Sequence, residues 1–285
     1  SLLYFRKGLS FAEEMNDKNS MSKFLGNIGV CYRLKGNYPS ALDYLLKALQ
    51  IDEAAGNKNG IASRLGGIGS VYWNQGDYEK ALTNYLKALK INEELGDKKG
   101  IATNLGNIGS VFYQQSENVK GNPSKKNILF EKALQHYLQA LKIAEEVDFK
   151  QVQSNTLGNI GSVYKDKGDY KGSLNYHLKG LKLAQELGDK NSIAYQLGNI
   201  GDLYTESPSL PSPSGEVKTG YALAAKYLHR ALWISDSIGA MDNVKNWYLH
   251  LSTLYEKTKV PLPDTFPDKL LNIEQTHLRA LYYMK

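Results

Sequence analysis

The chain of 285 residues carries one cysteine, Cys31. This excludes an internal disulfide framework and any zinc site built on several thiolates, and it leaves the compartment open between cytoplasm and periplasm. No stretch approaches the roughly 18 uninterrupted apolar residues that a membrane span requires, and no signal peptide opens the chain. A soluble fragment without direct membrane insertion is expected, and a membrane tether elsewhere on a longer parent stays open. Charge is not concentrated either. The 35 basic residues exceed the 29 acidic ones, but the excess is scattered through lysine-rich helix ends, which argues against nucleic acid as a partner.

Signs of catalysis are equally scarce. The histidines His136, His177, His229, His250 and His277 show no paired spacing of metal-ligand type, so no metal and no cofactor are expected. His136 and His177 fall near apolar helix faces and read as structural. A nucleophile elbow, a kinase signature and a Walker loop are all missing. Glu93, Glu94 and Asp97 read as capping and solvated helix-end charge. This fragment is not expected to be an enzyme.

What the chain has instead is repetition. Leu-Gly-Asn-Ile-Gly stands at Leu25 to Gly29, Leu105 to Gly109, Leu157 to Gly161 and Leu197 to Gly201, with a near copy at Leu65 to Gly69 and a degenerate one around Ser252. Between the second glycines the first four steps are 40, 40, 52 and 40 residues. A fixed period of this size signals stacked helical units, each burying its apolar face against a neighbour. Within one unit, Ile61, Leu65, Ile68 and Tyr72 recur at helical spacing. Gly76 supplies a stop, Asp77 a cap, and Ala81, Leu82, Tyr85, Ala88, Leu89 and Ile91 a second apolar face ending near Gly96. Two antiparallel helices per unit follow, because the connections are only a few residues long.

The units divide the chain as 1–18 (the second helix of a cut repeat), 19–57, 58–97, 98–149, 150–189, 190–240, and 241–285 (a degenerate repeat and a C-terminal helix). The register starts inside a second helix at Ser1 and implies a longer parent. Two inter-helix turns are lengthened, Gln115 to Ile128 and Glu206 to Gly220. The second is Ser/Pro-rich and is expected to be extended or mobile.

Eleven glycines lie within first helices, at about 1 kcal/mol each relative to alanine. Close helix approach offsets this: the second glycine of each pentapeptide is expected to face Ala41 and Ala48, Ala81 and Ala88, or Ala133 and Ala140 of the paired helix. A phosphate-cradling loop fits poorly, since amides inside a helix are already used.

The pattern Leu65, Ile68, Gly69, Tyr72, Gly76, Tyr78, Ala81, Tyr85, Ala88 resembles the tetratricopeptide repeat in its variety of about forty residues. It is similar to the arrays of kinesin light chains, of Leu-Gly-Asn-repeat adaptors, and of bacterial sensors attached to adenylate cyclases and histidine kinases. The proline that commonly ends the second helix is missing here. The resemblance implies an all-α, right-handed superhelical solenoid of antiparallel helix pairs whose first helices line a concave face.

The same resemblance implies that the pentapeptide asparagine bonds the backbone of an extended peptide, which carries over to Asn27, Asn107, Asn159 and Asn199; Gly67 interrupts the series. An amide donates and accepts, so it satisfies a peptide unit without demanding a particular side chain. One turn on lie Val30, Ser70, Ser110, Ser162 and Asp202, and two turns on Arg33, Trp73, Tyr113 and Lys165. The competing reading of the asparagines is hydrogen bonding between adjacent repeats. The expected function is a noncatalytic scaffold for a protein or peptide. Its rivals are a regulatory or sensor segment of a larger signalling enzyme, and self-association through the end repeats.

Overall fold

The computed structural model describes residues 2–213 and 219–258. Among them are twelve helices and no strand: α1 (Leu2–Glu14), α2 (Lys18–Leu34), α3 (Tyr38–Ala54), α4 (Lys58–Asn74), α5 (Tyr78–Leu95), α6 (Lys98–Glu117), α7 (Pro123–Glu146), α8 (Lys150–Asp166), α9 (Tyr170–Leu187), α10 (Lys190–Glu206), α11 (Gly220–Ser237) and α12 (Met241–Thr258). The helical pattern expected over 263–285, with His277, lies outside the described residues.

Local chemistry sets the helix ends. Asp17, Asn37, Asn57, Asp77 and Asp97 each stand before a helix and accept the amide of the residue three positions on, at 3.1–3.2 Å. At the other end, Gly76 and Gly96 take φ of 78° and 68°, a left-handed turn that glycine adopts without steric cost.

The chain forms two compact units, Ser1–Thr156 and Leu157–Lys285. In the first, the two helices of each repeat pack on one another, and the core continues from each second helix onto the first helix that follows it. Ala41 and Leu45 of α3 meet Ile68 and Val71 of α4, and Ala81 and Tyr85 of α5 meet Ile108 and Val111 of α6. No helix of such a pair buries its apolar face alone, which is the physical basis of a repeat array. In the second unit one larger cluster joins α9 to α12, with Tyr204, Leu228 and Trp247 among its members.

Two expectations are corrected. The space beside the second glycines is filled mainly by the large side chain midway between the alanines, and at Gly29 the Ala41 carbonyl also stands 3.1 Å from a Cβ. A Cβ at Gly29 would lie 2.7 Å from Leu45 Cγ, at Gly69 2.8 Å from the Tyr85 ring, and at Gly109 2.7 Å from the Tyr137 ring. Ala41, Ala81 and Ala133 are themselves fully buried.

The lengthened turns also differ from expectation. Residues 115–128 are mostly helix, because α6 and α7 grow to 20 and 24 residues and leave only 118–122 between them. Asn122 caps α7 at Lys125, Lys126 pairs with Glu117 at 3.0 Å, and buried Phe130 stacks on Tyr113. These contacts stabilise the extra turns. Over 207–213 the Ser/Pro-rich segment is tucked back: the Tyr204 hydroxyl donates to the Pro211 carbonyl at 2.7 Å, Leu210 packs on the core, and the Pro208 backbone lies against Gly220.

Candidate functional site

In the first unit the first helices α2, α4 and α6 line two adjoining cavities. One, of about 190 Å³, is bounded by Arg33, Ser70, Trp73, Asn74, Tyr85, Asn107 and Ser110. The other, of about 300 Å³, runs between α4 and α6 and shares Ser70 and Asn107 with it. Arg33, Trp73 and Asn107, three of the residues singled out in the sequence, therefore meet in one groove. Helical spacing explains why: residues three and four apart share a face, and short turns bring the corresponding faces of successive first helices side by side.

Each lining group has a definite state. Trp73 is 37% exposed and offers a partly open indole face. Arg33 is half-buried and forms no ion pair with a described residue. The Tyr85 ring rests on Gly69, and its hydroxyl donates to Ser70 Oγ at 3.1 Å. Burial raises the Tyr85 pKa, and the Ser70 hydrogen bond and the Arg33 charge offset this only in part, so the phenol stays protonated. Asn107 is half-buried and makes no hydrogen bond with a described residue. The groove thus presents one cation, aromatic surface and an amide with its donor and acceptor both free.

The other sequence candidates are placed differently. Asn27 is exposed on α2 and lines neither cavity. Tyr113 stacks on Phe130, ring centroids 6.3 Å apart, beyond the groove lining. In the second unit Asn159 is half-buried on α8, whereas the Asn199 amide donates to the Tyr195 carbonyl at 2.9 Å and is already engaged. None of Asn27, Asn107 and Asn159 bonds a neighbouring repeat among the described residues.

Lys165 pairs with Asp202, whose other oxygen accepts from His250 Nδ1 at 2.6 Å. Burial by itself would raise the Asp202 pKa. The hydrogen bonds and charges of His250 and Lys165 outweigh it and hold the carboxyl at about 2. Lys165 is correspondingly raised, the Asp202 charge overcoming the opposing effect of burial. Its charge is spent within the protein, unlike that of Arg33.

Sequence reasoning missed Tyr85 and His250. Tyr85 sits on a second helix, yet its ring reaches the groove across Gly69. His250 occupies the pentapeptide-asparagine register, since Trp247 lies over Gly198 as Gln196 lies over Gly158. Counting two residues back from the degenerate copy at Ser252 would have shown it. Among the described residues no cluster of three or more His, Cys, Asp or Glu side chains is placed to hold a metal ion. No described helix is long and apolar enough to cross a membrane.

Two family models, both described as tetratricopeptide repeat, match the chain, one over residues 20–94 and 60–119 and the other over 154–187. No curated protein matches it by sequence. Among solved structures it is similar to BtubC (BKLC) from P. vanneervenii, at 18% identity over 84% of this chain and 91% of that one, with a TM-score of 0.62. It is also similar to the Rap conjugation gene regulator of the plasmid pLS20 in complex with the Phr* peptide, at 16% identity over 94% and 66%, TM-score 0.65. A third is a signal transduction ATPase with numerous domains from Pyrococcus horikoshii that carries a tetratricopeptide repeat sensor, at 18% identity over 87% and 38%, TM-score 0.55. At these identities the likeness is one of fold.

Proposed function

We propose that this chain, whose repeats are tetratricopeptide repeats, is a noncatalytic binding module that holds an extended peptide along its first helices. The observation that carries the reading is the groove of the first unit, where the free amide of Asn107, the unpaired Arg33 and the open face of Trp73 border one cavity. An extended peptide offers backbone N–H and C=O groups that Asn107 can satisfy, and Arg33 attracts a carboxylate on the same ligand. The solved complex of a Rap regulator with the Phr* peptide, which this chain resembles in fold, supports the same ligand class. In the second unit Asn159 offers the same chemistry, while Asn199 and Lys165 must first give up partners inside the protein.

The test begins with a random dodecapeptide library displayed on phage and selected on the whole chain. Selected peptides are then titrated calorimetrically against wild type, Trp73→Ala and Asn107→Ala. Loss of a net hydrogen bond of roughly 0.5 to 1.5 kcal/mol predicts that Asn107→Ala weakens binding about 2- to 13-fold, with the melting point unchanged. Unchanged affinity with a lowered melting point removes the groove reading for Asn107.

A second reading, a sensor segment within a larger signalling protein, is favoured by the likeness to the repeat sensor of the Pyrococcus ATPase. It keeps the same groove and adds a consequence to its occupation. Sequencing of the parent gene separates the two: an adjoining catalytic or ATPase motif supports the sensor, and its absence leaves the free-standing module.

A further inference from the structure

The first glycine of each pentapeptide lies beneath a side chain delivered by the following first helix. Over Gly26 it is the Arg64 guanidinium, over Gly158 the Gln196 carboxamide, and over Gly198 the Trp247 indole. All three are planar groups bearing N–H, and a Cβ on the glycine would collide with each. Over Gly66 and Gly106 the corresponding residues, Asn104 and Thr156, are too short. A Cβ at Gly66 would meet only Asn104 Oδ1, at 3.7 Å, and one at Gly106 only Thr156 Oγ1, at 3.8 Å. Gly66 thus carries a helix-propensity cost of about 1 kcal/mol that packing does not require. It also lines the 300 Å³ cavity between α4 and α6.

A second observation points into the same space. Asn92 borders the cavity and is only 5% exposed, yet its carboxamide makes no hydrogen bond with a described residue. One repeat earlier the matching residue, Asp52, is saturated: it accepts from Ser22 Oγ at 2.6 Å, Asn57 Nδ2 at 2.8 Å and Arg64 Nε at 3.2 Å. At Asn92 all three of those donors are gone, because Ala62 replaces Ser22, Asp97 replaces Asn57 and Asn104 replaces Arg64. Asn104 spends its own amide on the Gly100 carbonyl at 2.9 Å, which leaves Oδ1 as an acceptor at the cavity wall. Asp97 adds a carboxylate to the lining.

Resting on the peptide-binding reading above, we propose that this cavity receives a planar N–H-bearing side chain of the bound peptide, a carboxamide or a guanidinium. It lies flat on Gly66 as Arg64 lies on Gly26, and it donates to Asn92 and Asn104. The chain thereby leaves to its ligand a group that it supplies itself one repeat earlier. An apolar side chain in this place leaves both asparagines unsatisfied, and a carboxylate meets the acceptor of Asn104 and the charge of Asp97.

Peptides selected from the random dodecapeptide library are titrated against wild type, Gly66→Leu, Asn92→Ala and Trp73→Ala, and Gly66→Ala is melted beside wild type. The expected peptides carry Asn, Gln or Arg at one fixed position, and changing that residue to Leu weakens binding about tenfold or more. Enrichment of Arg over Asn and Gln, or the reverse, tells guanidinium from carboxamide. Gly66→Leu, which fills the cavity, weakens binding to a similar degree. Asn92→Ala weakens the parent peptides but not their Leu-substituted forms, and it keeps the test decisive if Gly66→Leu folds poorly. Gly66→Ala melts at or above wild type. Peptides that bind Gly66→Leu and Asn92→Ala like wild type, yet lose affinity for Trp73→Ala, overturn this pocket and leave the groove standing. Peptides insensitive to every variant overturn both, and a lowered melting point for Gly66→Ala overturns the premise that packing does not need the glycine.

Discussion

Gly109→Ala tests the packing logic of the array most directly. A Cβ there would stand 2.7 Å from Tyr137 Cδ1, 2.8 Å from Cε1 and 3.1 Å from Cγ. Carbon atoms in contact prefer about 3.5–4.0 Å, so the ring must retreat by roughly 0.8 Å. It has little room to do so. Tyr137 is 1% exposed, its helix is anchored by fully buried Ala133 and Ala140, and its hydroxyl donates to Ser110 Oγ at 3.1 Å. Overpacking of this kind costs about 1–3 kcal/mol, against which alanine recovers about 1 kcal/mol of helix propensity. The net expectation is a loss of about 1 kcal/mol, with Gly109→Leu losing more. Gly66→Ala, where the new methyl meets only one oxygen in ordinary contact, should instead gain up to about 1 kcal/mol. Two identical substitutions in the same motif are therefore expected to move the urea midpoint, followed by circular dichroism, in opposite directions. Because arrays can unfold in parts, amide exchange in α6 and α7 should show where the loss falls. If Gly109→Ala proves as stabilising as Gly66→Ala, the close-approach explanation is wrong.

Further outcomes follow from buried groups. His177 is fully buried, and desolvation pushes its pKa down to about 4, the Gln196 hydrogen bond opposing only in part. Since its unfolded value is 6.5, the unfolded chain takes up the proton first. Stability is then lost as pH falls from 6.5 to 4, by roughly 3 kcal/mol in the limit. His177→Tyr, which installs the residue found in this register at Tyr85 and Tyr137, should flatten thermal melts recorded across that window, and an unchanged slope would remove His177 as the cause. Asp202, held at about 2 by His250 and Lys165 against the opposing effect of burial, contributes in a separate window: its share is present above 3.8 and lost as pH falls toward 2. Asp202→Asn should blunt acid unfolding there. Asp52→Ala leaves Arg64, whose side chain is 12% exposed, without its ion-pair partner. A loss of about 3–5 kcal/mol is expected in urea melts, with partial recovery in Asp52→Ala/Arg64→Met, because breaking a buried pair costs more than replacing it. Equal losses in the single and double variants would show that the pair itself, rather than the stranded charge, matters.

The amino-acid sequence by itself determined the period, the two-helix repeat with its antiparallel pairing, and the helix ends at the short turns, because these depend on chemistry within a few residues. A carboxylate or amide at Asp77 or Asn57 caps the helix it precedes, and Gly76 or Gly96 turns the chain wherever it stands. It also showed that the pentapeptide glycines need a reason and that Arg33, Trp73 and Asn107 share one helical stripe. The tertiary structure decided what those features meet. Tyr137 rather than Ala133 or Ala140 fills the space beside Gly109, since the contact depends on how two helices cross and not on the size of residues along one of them. The lengthened turn over 115–128 became helix because Phe130 and Lys126 find Tyr113 and Glu117 across it. Lys165 stands among the groove candidates in the sequence, yet Asp202, 37 residues on, pairs with it, and His250 in turn holds the other oxygen of Asp202. Gly26 and Gly66 read alike in the motif, yet one is covered and the other open. The difference lies in a residue 38 positions on, Arg64 in one case and Asn104 in the other, and only the stacking of successive first helices brings such distant positions into contact.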